Sequence, residues 1–213
     1  MDARKDSEQP EPAARKSNSG VSRRSFVMGA SGACALLALG SLKYVAHDPL
    51  CRPPGGQDEQ KLFAACLHCE KCREICPRNA IAPAHLEDGI LSMRTPKMNF
   101  KRGWCDFCEN EPGGPRCVAV CPTQALARAD AYIIGIAQVN YDWCLANRGM
   151  GCHDCIDACP YQALDVNDNN TPRVVTSRCN GCGRCENVCP SMRDGSLAEG
   201  VTDRAIVIRP VEA

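Results

Sequence analysis

A small, loop-rich α+β fold is predicted, and three observations predict it. Cysteine supplies 18 of the 213 residues, about 8 per cent, a level at which disulfides or metal sites take over part of the work of a core. Aromatic side chains are scarce, with 4 Phe, 4 Tyr and 2 Trp, so the apolar core is thin. Short β-branched runs alternate with tight cysteine loops, a pattern that suits strands of a few residues and single helical turns.

Residues 1 to 20 are polar, hold Pro10 and Pro12 and carry charges of both signs; such a stretch buries too little apolar surface to order itself and is expected to be disordered. Residues 21–46 read as an export signal: Arg23 and Arg24 stand directly before the apolar run Phe26 to Leu42, rich in Gly and Ala, as in twin-arginine signals. A transmembrane helix is the alternative, although 17 such residues fall short of the ~20 a span needs. Ala38-Leu39-Gly40 is only a passable cleavage site, so an uncut segment that anchors the chain is also compatible, and Cys34 reads as a buried cysteine of the apolar run. Residues 47–60, HDPLCRPPGGQDEQ, read as a linker whose prolines and glycines prevent regular structure, with Cys51 an incidental thiol.

The body is expected over residues 61–213. Its organising stretch is CLHCEKCREICP, Cys66 to Pro77: cysteines at i, i+3 and i+6, a fourth four residues later, then proline. The pattern recurs at Cys105, Cys108, Cys117 and Cys121 with Pro122, at Cys144, Cys152, Cys155 and Cys159 with Pro160, and at Cys179, Cys182, Cys185 and Cys189 with Pro190. This is the spacing of cubane-binding runs, in which three close thiolates hold one four-iron cluster and the Cys-Pro cysteine reaches a second. Sixteen cysteines match four 4Fe-4S clusters. Such clusters would act as core and cross-link together, so the apo chain is not expected to fold.

After each of the first three Cys-Pro pairs come two residues, then Ala and an aliphatic, ending at Ile81, Leu126 and Leu164. This repetition marks a duplicated unit, expected to form a helical turn after the proline that packs its Ala and aliphatic against a cluster; the fourth copy, PSMRDGSLA, departs from it. Strands are expected over Ala131–Val139, over Leu164–Val166 and Arg173–Thr176 as a hairpin turning at Asn167–Thr171, and over Ala205–Ile208.

Competing chemistries fit less well. Disulfides suit an exported chain, yet pairing does not account for four copies of a four-cysteine run, each closed by C-x3-C-P. Zinc explains C-x2-C pairs and leaves the third cysteine of each run without a purpose, while haem attachment needs C-x2-C-H, which is absent from the sequence. The geometry of a cube leaves its fourth corner to a cysteine from another run, and the spacing allows either sequential partners, first with second and third with fourth, or nested ones.

The chain resembles the NapG ferredoxin-type family, exported four-cluster proteins of periplasmic nitrate reductase systems related to the MauN proteins of methylamine utilisation. The resemblance runs from Arg52 through Pro190 and rests on Arg52-Pro53-Pro54-Gly55, on Phe63-Ala64-Ala65-Cys66 and on the third run CLANRGMGCHDCIDACP, with seven residues between Cys144 and Cys152. It implies a polyferredoxin of two ferredoxin-like dicluster modules with nested pairing: Cys66, Cys69, Cys72 and Cys189; Cys179, Cys182, Cys185 and Cys76; Cys105, Cys108, Cys117 and Cys159; Cys144, Cys152, Cys155 and Cys121. It also implies electron transfer from a membrane quinol-oxidising ferredoxin-like partner of NapH type to an extracytoplasmic reductase or cytochrome, with the protein in the periplasm or on the outer face of the membrane. The second run departs from the family by the eight residues ENEPGGPR between Cys108 and Cys117, expected to form a surface loop that alters partner choice.

Trp104 and Trp143, each directly before a run, read as core packing that also shields a cluster from water. His68 and His153 read as exposed loop residues rather than ligands. Lys71, Arg73 and Arg184 offset cluster charge, meet an acidic partner or are simply solvated. Residues 1–40 hold six Lys/Arg and four Asp/Glu, leaving 19 against 21 for the rest, and no basic stripe suits nucleic acid. No catalytic set, Walker loop or dinucleotide fingerprint occurs. The expectation is therefore a non-catalytic electron carrier with no small-molecule substrate. The alternatives are a fixed iron-sulfur subunit of an oxidoreductase, a cluster-delivery factor or a redox sensor.

Overall fold

The computed structural model describes residues 22–24, 26–32, 40, 49–192 and 201–211, and the chain divides into two units, Met1–Lys43 and Tyr44–Ala213. In the first, residues 23–24 and 26–32 are helical, with Phe26, Val27 and Met28 exposed. No helix among the described residues is long and apolar enough to cross a membrane. The polar residues 1–20, Cys34 and most of the expected signal segment lie outside the described residues.

Among its described residues the second unit holds three antiparallel two-stranded sheets: β1 (Ile81–Pro83) with β2 (Pro96–Met98), β3 (Ile136–Val139) with β6 (Ile206–Arg209), and β4 (Leu164–Val166) with β5 (Pro172–Val174). The β4–β5 hairpin lies where the sequence places it, its turn held by Asn167, whose side-chain oxygen accepts from Asn169 N and Thr171 N, with Asn170 in the left-handed region. β3 is shorter than the apolar run around it. Its partner ends at Arg209, before Pro210, which has no N–H to extend the ladder, so Ile134 N donates instead to Asn180 O. The β1–β2 pair lies outside the strands expected from the sequence; its two prolines sit opposite each other at the end of the ladder, where a missing donor costs least.

Each run contains one helical turn: Lys71–Glu74, Arg116–Ala119, Asp154–Asp157 and Arg184–Val188. These turns precede the Cys-Pro pair, which corrects the expectation of a turn after it. A residue before proline is driven out of the α region, so the helix cannot run through Cys76, Cys121 or Cys159. After the proline the chain bends through a left-handed residue, Asn79, Gln124 or Gln162, and then buries the expected pairs Ala80 and Ile81, Ala125 and Leu126, Ala163 and Leu164.

The described part of the expected linker, residues 49–60, is ordered into the body. Asp58 caps the helix Glu59–Ala65 by accepting from Lys61 N, and Arg52, Pro53 and Pro54 are buried. Arg52 donates to Thr95 Oγ1, Pro96 O and Ser92 Oγ and pairs with Glu59. Gly55 O accepts from Ala127 N at 2.8 Å; a Cβ on Gly55 would lie 2.1 Å from Ala127 O, and its φ is +81°, so only glycine fits there.

That contact decides the architecture. The segment before the first run bonds to the segment after the second, and β3, before the third run, pairs with β6, after the fourth. Each module is thus closed around two successive runs, with β1–β2 between the runs of one and β4–β5 between the runs of the other. The nested pairing expected from the resemblance is not the one this fold brings together.

Candidate functional site: four cysteine-lined cavities

The sixteen cysteines of the runs gather into four quartets, each lining one cavity. Cys66, Cys69, Cys72 and Cys121 line the first, with Leu62, Ile81 and Leu126. Cys76, Cys105, Cys108 and Cys117 line the second, with Trp104 and Phe107. Cys159, Cys179, Cys182 and Cys185 line the third, with Tyr161 and Leu164, and Cys144, Cys152, Cys155 and Cys189 the fourth, with Val139 and Ile206. Counted with the solvent at their mouths, the empty volumes are about 540, 340, 320 and 350 Å³ in that order. Every Cys-Pro cysteine therefore sits with the triplet of the other run in its own module: Cys121 takes the place expected of Cys189, Cys76 that of Cys159, Cys159 that of Cys76 and Cys189 that of Cys121.

The helical turns produce this exchange. Cys72 and Cys76 are four residues apart across Lys71–Glu74, so one helical turn separates their side chains along the axis, roughly 6 Å at 1.5 Å per residue. The first faces one cavity and the second the next. Cys117 and Cys121, Cys155 and Cys159, and Cys185 and Cys189 repeat the arrangement across their own turns.

The cavities are apolar, and the thiols feel it. Burial, with the neighbouring sulfurs adding to it, pushes Cys72, Cys117 and Cys155 up to about 12. Burial likewise pushes Cys182 up to about 11, and Cys105, Cys108, Cys152 and Cys185 also move upward with burial as the first cause. Cys121 is the exception: burial acts on it too, but N–H groups of Leu126, Thr123 and Ala125 and the Thr123 hydroxyl outweigh it and lower its pKa. Backbone N–H groups also point at sulfur elsewhere, from Ala163 to Cys159 at 3.2 Å, Ala137 to Cys179 at 3.4 Å and Phe107 to Cys105 at 3.4 Å.

Four thiolates in one apolar cavity cannot coexist without positive charge between them, and a cationic centre ionises coordinating thiols outright. Every described cysteine is free of disulfides. Among the described residues no group of His, Cys, Asp or Glu is drawn together as a single metal ion requires; the sulfurs line cavity walls instead. All-sulfur quartets on apolar cavities, with N–H groups aimed at the sulfurs, fit an iron-sulfur cube.

The remaining residues sort by contact. Cys51 joins no quartet: its half-buried thiol donates to Ile208 O at 3.4 Å, its carbonyl accepts from Met98 N, and burial pushes its pKa up to about 12. His68 lines the first cavity from a left-handed backbone, and His153 caps the turn Asp154–Asp157 without a side-chain bond. Lys71 and Arg73 also line the first cavity, with Arg73 paired to Glu70. Trp143 packs on the core, whereas Trp104 lies between the guanidinium groups of Arg78 and Arg184. Sequence reasoning missed Ser191, fully buried, which bonds Cys189 Sγ and accepts from Ala205 N. Thr123 holds the same position directly after Cys121-Pro122 and its hydroxyl also meets the sulfur of its Cys-Pro cysteine, so a hydroxyl residue after Cys-Pro in two of the four copies was the available signal.

Residues 148–192 match a family described as a 4Fe-4S dicluster domain, and residues 66–80 one described as a 4Fe-4S binding domain. The first match covers the third run from Cys152 onward and the whole fourth run. The chain is similar to the methylamine utilization ferredoxin-type protein MauM of Paracoccus denitrificans, 31% identical over 191 residues, which cover 79% of this chain and 83% of that protein. It is also similar to the ferredoxin-type protein NapG of Escherichia coli, 34% identical over 155 residues and 65% of each chain, and to NapF of the same organism, 28% identical over 143 residues. The methylamine relatives found carry the name MauM where the sequence reading had MauN.

Proposed function

Because the chain belongs to the NapG/MauM family of ferredoxin-type proteins, 4Fe-4S electron-transfer proteins, we propose that it holds four 4Fe-4S clusters, one per cysteine quartet, and relays electrons outside the cytoplasm. The observation that carries this is the assembly of all sixteen run cysteines into four separate all-sulfur cavities. When bound, such a cluster takes up and gives up one electron at a time. The chain's part is to supply the thiolates, keep water away with Leu62, Ile81, Leu126, Leu164 and Ile206, and aim N–H groups at sulfur, which eases the negative charge there.

We infer the donor and acceptor that the resemblance implies: a membrane quinol-oxidising protein of NapH type upstream and an extracytoplasmic reductase or cytochrome downstream. Arg23 and Arg24 before the apolar run support twin-arginine export, a route for chains already loaded with cofactor. Iron and acid-labile sulfide analysis of anaerobically purified protein tests the cofactor reading: about sixteen of each per chain are expected from four cysteines per cluster. A colourless chain that folds without iron overturns it. Reduction by quinol in the presence of membranes supports the relay, and transfer of clusters to an apo acceptor points instead to a delivery factor.

A further inference from the structure

We propose that the four sites form one unbranched line, in the order Cys66–Cys69–Cys72–Cys121, Cys76–Cys105–Cys108–Cys117, Cys159–Cys179–Cys182–Cys185, Cys144–Cys152–Cys155–Cys189, and that Trp104 is the positioning residue that holds its middle link. This rests on the four-cluster reading above. The order departs from that of the runs in the sequence, because the second run's site meets the fourth run's site and the third run's site is left at the far end.

The outer links are built by the helical turns: Lys71–Glu74 and Arg116–Ala119 each carry a cysteine of one of the first two sites and lead directly to a Cys-Pro cysteine of the other, and Asp154–Asp157 and Arg184–Val188 do the same for the third and fourth. The middle link joins the modules. Cys105 N donates to Cys182 O at 2.8 Å, so the atoms Sγ–Cβ–Cα–N–H of Cys105 and O=C–Cα–Cβ–Sγ of Cys182 form a bonded path from one quartet to the next. Phe107, on the second cavity, meets the ring of Tyr161, on the third, edge to face with centroids 6.5 Å apart.

Trp104 lies beside this path, directly before Cys105. Arg78 stands 4.6 Å from its ring centroid and Arg184 4.5 Å. Arg78 lines the second cavity and is held by Asp106 at 2.8 Å, while Arg184 opens the turn that carries Cys185. The indole is thus gripped by one cation from each module, an arrangement its negative ring faces favour. Two glycines make room here: a Cβ on Gly103 would lie 1.9 Å from Arg78 O within its own module, and one on Gly183, whose φ is +77°, 1.9 Å from the Phe100 ring of the other module. At one end of the line Cys69 is the exposed thiol among the ligand cysteines.

The test is electron paramagnetic resonance of holoprotein reduced anaerobically with excess dithionite, which supplies one electron to each site. Wild type is expected to show four mutually coupled spins. Trp104→Ala is expected to show the sum of two separate coupled pairs, with iron content and total spin unchanged, and Trp104→Phe, which restores a flat ring, to recover the four-spin spectrum. Should Trp104→Ala lose its clusters, Arg184→Gln, which keeps the indole and every cysteine, decides by the same loss of coupling between modules. A wild-type spectrum that is already two isolated pairs, or a fully loaded variant with wild-type coupling, overturns the inference. Fewer than four clusters in wild type overturns the four-cluster reading instead.

Discussion

Removal of the Arg52 guanidinium is the most direct challenge to this fold, because the sequence places Arg52 in a linker and the structure buries it, with a side chain 1% exposed. Its Nη1 donates to Thr95 Oγ1 at 2.9 Å and Pro96 O at 3.2 Å, its Nη2 to Ser92 Oγ at 3.3 Å, and its Nε to Glu59 Oε1 at 2.8 Å. In Arg52→Ala the side chain of Glu59, 31% exposed, regains water, so its share of the loss is discounted. Ser92 and Thr95 are almost fully buried, and each buried group left unpaired costs about 1–3 kcal/mol; Thr95 keeps one bond by donating to Ser92 O. With the lost side-chain packing, the net destabilisation is about 3–5 kcal/mol, in the range for breaking a buried charged cluster. Cluster loss on unfolding is irreversible, so the assay is the rate of bleaching in fixed urea under anaerobic conditions. At 1.4 kcal/mol per tenfold, bleaching should accelerate by roughly two decades or more. Glu59→Gln, which keeps an acceptor facing Arg52, should cost under about 1 kcal/mol. A change of less than about threefold in Arg52→Ala, below 1 kcal/mol on the same scale, would show that the Arg52 contacts do not hold the module and return residues 47–60 to a linker.

Three further outcomes follow from the same geometry. Cys69→Ser and Cys121→Ser should alter one and the same cluster signal in paramagnetic resonance, whereas nested pairing requires Cys69→Ser and Cys189→Ser to do so. Gly183→Ala should destabilise the holoprotein by at least about 2 kcal/mol, from a left-handed backbone and a Cβ inside the Phe100 ring contact; Gly113→Ala, where a Cβ meets nothing within 4 Å, should cost only the backbone strain. Glu186 is buried and accepts from Ile208 N at 2.7 Å, and burial, then the Asp203 charge, raises its pKa. A carboxyl raised in the fold stabilises it fully below its unfolded pKa, about 4.3, and that stability is lost as pH rises through the folded value. The bleaching rate should therefore rise with pH above that window, and Glu186→Gln should flatten the slope while keeping an acceptor for Ile208 N.

The chemistry of the sites was legible in the sequence because it is local. In the first and fourth runs a cysteine every third residue crowds three sulfurs into one loop whatever surrounds it, and in all four the cysteine at i+4 beyond a helical turn must face elsewhere. The Ala-aliphatic pairs at Ala80–Ile81, Ala125–Leu126 and Ala163–Leu164 are buried as their repetition suggested. The turn before each Cys-Pro was misplaced because the same proline that ends a helix was read as beginning one. β1 and β2 were invisible because three-residue strands ending in prolines carry no periodic signal. Arg52 looked like part of a flexible Pro-Gly stretch because its partners Ser92 and Thr95 lie some forty residues on.

Alone, the sequence determined that sixteen sulfurs are grouped in four runs, each closed by a Cys-Pro pair, in an aromatic-poor chain, since spacing along a few residues constrains geometry within a few ångströms. Which run completes which quartet, and which quartets touch, was decided by tertiary structure. Those choices depend on Gly55 meeting Ala127, on β3 meeting β6 and on Cys105 meeting Cys182, contacts between residues far apart in the chain that compete with other closures of similar local geometry, and no spacing within a run can choose among them.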